Sequence, residues 1–124
     1  MKNKVKSRKA MRELMDHIFR EVQVTREEGQ DEYAHDTDNA FANFDRIGSR
    51  TNQKRENVLL TYLLKHIDGI IAHINGHVSQ REDVRGRIKD CIVYLCLLWG
   101  MVDSSEEEIN QEDNTDSTMI PTFE

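Results

Sequence analysis

The chain has 124 residues, 37% of them hydrophobic and 32% charged, which limits it to one domain with a modest core and room for tails. One proline and six glycines exclude a turn-rich all-β fold. A formal net charge of −6 argues against general duplex-DNA binding, because phosphate neutralisation needs a basic face.

The charge is polarised. Residues 1–12 carry six basic and no acidic side chains, and residues 103–124 carry eight acidic and no basic ones. The basic start reads as a solvated helix terminus, with contact to nucleic acid or to the acidic tail as the alternative. No apolar stretch follows the basic start as a signal peptide would require. The longest apolar run, Cys91 to Trp99, is too short to span a bilayer. A soluble protein of the cytoplasm is therefore expected, without a membrane partner. Cys91 and Cys96 are five apart, a spacing that suits neither a zinc knuckle nor a redox pair, so both read as buried free thiols. A small helical domain of this composition often completes its core by self-association, which makes a homo-oligomer the expectation.

The first helix is predicted from Ser7 to about Ala34, with Met11, Leu14, Met15, Ile18 and Val22 on one stripe. Near its end Glu28 and Glu32 share a face. Carboxylates stacked in this way repel unless a cation lies between them, so they read either as a solvated acidic face or as half of a divalent-metal site. The stretch Glu32 to Arg46 is neither amphipathic helix nor tail. It places Asp36, Asp38, Asn39, Asn43 and Asp45 among Tyr33, Phe41 and Phe44. Asp and Asn satisfy backbone groups in turns and caps, and the aromatics need a core or a base to cover them. Asp38 or Asn39 is predicted to cap a short helix carrying Phe41, Phe44 and Ile47, followed by a loop over 48–53.

A second main helix is predicted from Lys54 to Asn75, with Leu59, Leu63, Ile67, Ile70 and Ile74 on its stripe and Gly76 as its stop. Lys65 and His66 lie beside that stripe. His73 and His77 are four apart, a weak metal-binding pattern. Ser79 and Glu82 have the spacing of a capping box, which starts a third main helix near Gln80 and carries it to Val102. Val84, Ile88, Cys91, Leu95 and Trp99 form its stripe. Asp90 sits in mid-helix next to that stripe and needs a partner if it is buried; Lys65, Arg87, a backbone donor or a metal would serve. Beyond Asp103 the composition turns polar and acidic. That tail reads as disordered when free, with Met119, Ile120, Pro121 and Phe123 either as a docking peptide or as an ordinary frayed end. The whole is an all-α fold, an antiparallel bundle of three main helices plus one short helix over residues 1–102, with an acidic tail over 103–124.

No phosphate loop, dinucleotide turn or nucleophile elbow occurs. What remains is a set of carboxylates, lysine, histidine and asparagine spread over the helices. Such a set can hold Mg²⁺ and a nucleotide phosphate, or can merely satisfy buried polar groups. Three segments in order, DEYAHDTDNAFANFDRIG (31–48), LLTYLLKHIDGIIAHING (59–76) and REDVRGRIKDCIVYLCLL (81–98), make the chain resemble the nucleotide-modification-associated domain 1 family, small phage and prophage proteins of uncharacterised function. The resemblance covers roughly residues 13–102. It implies a phage protein in the cytoplasm of an infected or lysogenic bacterium, and points to Tyr33, Asn43, Phe44, Lys65, His66, Asp90 and Tyr94. The family is loosely similar to the MazG-type all-α nucleoside-triphosphate pyrophosphohydrolases, whose ExxE helix this chain lacks, since Glu28 and Glu32 are ExxxE.

Two functions follow as expectations. In the first the chain is a nucleotide-binding or nucleotide-metabolism accessory protein with Mg²⁺ as its candidate cofactor. Tyr33, Asn43, Phe44, Lys65, His66 and Asp90 then contact the nucleotide, and Glu28, Glu32, Asp36 and Asp90 hold the metal. In the second it is a non-enzymatic anti-defence or host-takeover protein that sequesters a nucleotide signal or binds a host protein. Asp90, Lys65 and Asn43 are predicted to converge in one pocket near Tyr33 and Phe44.

Overall fold

The computed structural model describes residues 6–33 and 38–119, with side chains described as far as Gln111. Four helices and no strand occur among the described residues: α1 (Arg8–Tyr33), α2 (Ala42–Thr51), α3 (Arg55–Ile74) and α4 (Val84–Met119). The all-α expectation of three main helices and one short one is met. No helix among the described residues is long and apolar enough to cross a membrane.

The helix ends follow local chemistry. Ser7 Oγ accepts the Ala10 N–H at 3.0 Å and so caps α1. Asn39 Oδ1 accepts the Phe41 N–H at 2.9 Å, and Asn39 Nδ2 donates to Asp45 Oδ2 at 3.0 Å, so Asn39 organises the approach to α2 from just outside it. α2 runs to Thr51, through the stretch expected to be loop. It stops at Asn52, whose φ of 56° is left-handed, with the Gln53 N–H returning to the Gly48 carbonyl at 2.9 Å. That return brings the Gln53 carbonyl against Gly48, where a Cβ would lie 2.6 Å from it. Glycine is therefore a packing requirement here rather than a break. Gly76, with φ of 93°, follows α3 as expected.

α4 starts later than the capping box suggested. Ser79 Oγ accepts the N–H groups of Arg81 and Glu82, but this builds a turn. The helix begins at Val84, where Asp83 Oδ1 accepts the Arg85 N–H at 2.8 Å. The Glu82 carboxylate, instead of turning back to Ser79, pairs with Arg87 at 3.5 Å. At its far end α4 continues past Val102 into the acidic stretch expected to be disordered. Glutamate is a good helix former, and Glu106 to Gln111 are all exposed, so the helix continues there in contact with water. Residues 120–124, which hold most of the suggested docking peptide, and the Met119 side chain lie outside the described residues.

α3 packs along α4, α2 packs on α3, and α1 lies along α4. The core is Phe44, Val58, Leu59 and Met101, surrounded by Phe41, Ile47, Tyr62, Tyr94, Leu97 and Leu98. Leu63 is buried as predicted, and Ile67 and Ile70 are half-buried. Ile88, Leu95 and Trp99, expected in the core, are exposed in the single chain, Trp99 to 74%. Those side chains lie on the face of α4 turned away from α3. The apolar stripe of α1 also stays outside the common core. Val22 is buried, but Met11, Leu14 and Met15 are exposed, because a stripe this wide needs two neighbours and α1 has chiefly α4. Cys91 is buried, and desolvation pushes its thiol up; Cys96 is exposed, contrary to expectation.

Candidate functional site

A cleft of about 410 Å³ opens where the end of α1 and the start of α2 meet the middle of α3 and α4. Its lining includes Glu28, Glu32 and Tyr33 from α1, Asn43 and Phe44 from α2, His66 from α3, and Asp90 and Tyr94 from α4. The volume is in the range of small-molecule sites.

The mouth is tied together by side chains donating to backbone. Arg26 Nη2 donates to Gln30 Oε1 at 2.6 Å and to the Ala40 carbonyl at 3.2 Å. Gln30 Nε2 donates to the Asn39 carbonyl at 3.1 Å. Arg46 donates from Nη1 to the Tyr33 carbonyl at 3.4 Å and from Nη2 to Asn43 Oδ1 at 2.8 Å. The bonds to the Ala40, Asn39 and Tyr33 carbonyls hold the α1 terminus against α2 and the segment before it.

The floor is aromatic. The Phe44 and Tyr94 rings meet edge to face with centroids 6.3 Å apart, Tyr62 stacks on Tyr94 at 6.3 Å, and the His66 ring lies 5.7 Å from Tyr94. Burial, reinforced by the nearby Asp90 carboxylate, raises the Tyr94 phenol to about 12, so it stays a neutral donor at physiological pH. Tyr33 stands at the rim, largely exposed.

Asp90 and His66 form the polar wall, with His66 Nε2 3.8 Å from Asp90 Oδ2. Desolvation raises the Asp90 pKa, opposed by His66 and aided by Glu82. One ligand atom each from His66, Glu82 and Asp90 lies within 4.8 Å of the others, close enough to converge on one divalent cation. Two carboxylates and an imidazole suit Mn²⁺ or Zn²⁺ better than the all-oxygen preference of Mg²⁺.

Of the residues singled out from sequence, Tyr33, Asn43, Phe44, His66 and Asp90 line this one cleft. Lys65 does not: it is exposed outside the cleft, and its neighbour His66 is the group facing Asp90. An ammonium is costly to desolvate, whereas an imidazole can be half-buried against a ring. Glu28 and Glu32 line the cleft but remain in water on α1, and neither belongs to the gathered ligand set among the described residues. Asp36 lies outside the described residues. His73 and His77 are not part of that set either. Sequence reading assigned Glu82 only a capping role and missed Arg26 and Gln30, whose i, i+4 spacing on α1 was the available signal.

No family model matches the chain, and no characterised protein or solved structure matches it either.

Proposed function

We propose that the chain is a small nucleotide-binding accessory protein whose cleft takes a nucleotide or nucleotide-derived ligand together with a divalent cation. The carrying observation is the juxtaposition in one cleft of an aromatic floor, Phe44 and Tyr94, with the His66–Asp90 wall. The exposed Tyr33 ring at the rim offers a base a face to rest on, above the apolar floor of Phe44 and Tyr94, and Asn43 and the Tyr94 hydroxyl supply polar contacts to its edge.

The cleft's charge dictates how a phosphate would be held. Glu28, Glu32 and Asp90 line it, and Arg26, which lines it too, is already engaged with Gln30 and Ala40. A bare phosphate is repelled by such a lining, so the cation at His66, Glu82 and Asp90 bridges the two. The exposed position of Lys65 and the ExxxE spacing of Glu28 and Glu32 favour holding the ligand over hydrolysing it, which fits sequestration of a nucleotide signal. The resemblance of the three sequence segments to phage proteins supports a role in the cytoplasm of an infected bacterium.

Thermal shift over a nucleotide panel with EDTA, Mg²⁺ or Mn²⁺ tests this. Expected is stabilisation by a nucleotide only with the cation, of about 2.7 kcal/mol at a hundredfold excess over Kd. Asp90→Asn should fold and lose that response. If no nucleotide stabilises the chain with any cation, or if Asp90→Asn responds as the parent does, the proposal fails.

A further inference from the structure

The exposed apolar face of α4 plays no part in the cleft. Ile88, Leu95, Trp99 and Val102 are all exposed, and their spacing of seven, four and three residues keeps them on one side of the helix. Ile92 lies on the same side, and a groove of about 350 Å³ walled by Leu14, Ile18, Ile88 and Ile92 adjoins it between α1 and α4.

The charges at the two ends of this face are opposite. Before it stand Arg81 and Arg85, the latter with its side chain 85% exposed and paired with Asp83 of the same turn, at 3.3 Å. After it stand Asp103, Glu106 and Glu107, all described; Glu106 continues the stripe itself, one step beyond Val102. Such a face is complementary to its own reverse. We propose that α4 pairs antiparallel with α4 of a second copy of this chain, about a two-fold axis at Leu95. The axis sets Ile88 against Val102, Trp99 beside Ile92, and Arg85 beside Glu106, each contact made twice. From Val84 to Glu106 the seam is about 33 Å long on helices roughly 10 Å across. The strip is about 330 Å² in projection, and the adjoining groove adds apolar surface toward the roughly 800 Å² per partner of a standard interface. The pairing is independent of nucleotide binding.

Sedimentation velocity of the full chain over a wide concentration range, read together with fluorescence of its single tryptophan, tests the pairing. The expected species at high concentration has twice the 14.5 kDa chain mass, and Trp99 emission moves to the blue as it forms. Leu95→Glu should give a folded monomer with red-shifted emission. Arg85→Glu and Glu106→Arg should each weaken association by roughly fivefold or more, since each change acts at both ends of the interface. Combining them should restore it to within a few-fold of the parent. Should Leu95→Glu not fold, the charge exchange still decides. A chain that stays monomeric throughout overturns the proposal, whether Trp99 is wet or covered by the chain's own terminus. So does a dimer that ignores Leu95→Glu, or a double charge reversal that fails to rescue.

Discussion

Leu59→Ala is the sharpest test of the packing. Leu59 is 0% exposed and belongs to a cluster with Phe44, Val58 and Met101, residues drawn from α2, α3 and α4. Truncation removes the equivalent of three buried carbon groups, about 2.4 kcal/mol at roughly 0.8 kcal/mol each. Neighbours on three elements cannot all close the space, so a cavity contribution adds to this, for a total loss of about 3–4 kcal/mol. At about 3–6 °C per kcal/mol for a domain between the 100- and 150-residue classes, Tm falls by roughly 9–24 °C. The assay is urea unfolding followed by far-UV circular dichroism, with Ile88→Ala as the control. Ile88 is 41% exposed, so at dilutions where the chain is monomeric its truncation should cost less than about 1 kcal/mol. A Leu59→Ala loss below about 1.5 kcal/mol, or equal losses for the two variants, refutes this placement of the core.

Three further outcomes are expected. Gly48→Ala should destabilise by about 1–3 kcal/mol, because its Cβ would meet the Gln53 carbonyl at 2.6 Å, although helix propensity alone predicts a gain; a chemical-denaturation midpoint above the parent's would contradict it. Desolvation raises Asp90 above its ordinary 3.8, so its contribution to stability is present below that pH and is lost as pH rises through the folded value. Asp90→Asn, with no ligand added, should therefore gain stability relative to the parent as pH is raised from 4 to 7; a gain that shrinks with rising pH would be the wrong sign. Tyrosinate absorbance at 295 nm should include one transition near pH 12 that disappears in Tyr94→Phe, and its persistence in that variant would reassign it.

Periodicity made much of the architecture legible. α1 and α3 lie within a residue or so of their predicted limits because their stripes are long and their ends carry Ser7 and Gly76. Gly48 misled because a glycine that loosens a helix and one that admits a neighbouring carbonyl look the same in sequence. Ser79 misled because it and Asp83 are both good caps, and only the fold shows which one meets the helix. The stripes of α1 and α4 reveal apolar faces but not what lies against them, so the expectation of Ile88, Leu95 and Trp99 in the core is not met in the single chain. At the cleft, Asp90 announced itself as an acid out of place. That His66 rather than Lys65 answers it depends on about 100° of helix rotation between adjacent residues, which the pattern of LLKHI does not resolve.

The attachment of α1 has a kinetic and energetic consequence for the cleft. This helix supplies Glu28, Glu32 and Tyr33 to the lining, yet Val22 is its one buried residue, and its ties to the rest include an ion pair from Glu21 to Lys89 at 4.0 Å and the hydrogen bonds at the mouth. Helices anchored so lightly open locally at low free energy. The cleft is complete only with α1 seated, so the apparent dissociation constant of the proposed ligand is its intrinsic value divided by the seated fraction. A substitution that grips α1 more firmly, far from the aromatic floor, would tighten binding without touching the ligand.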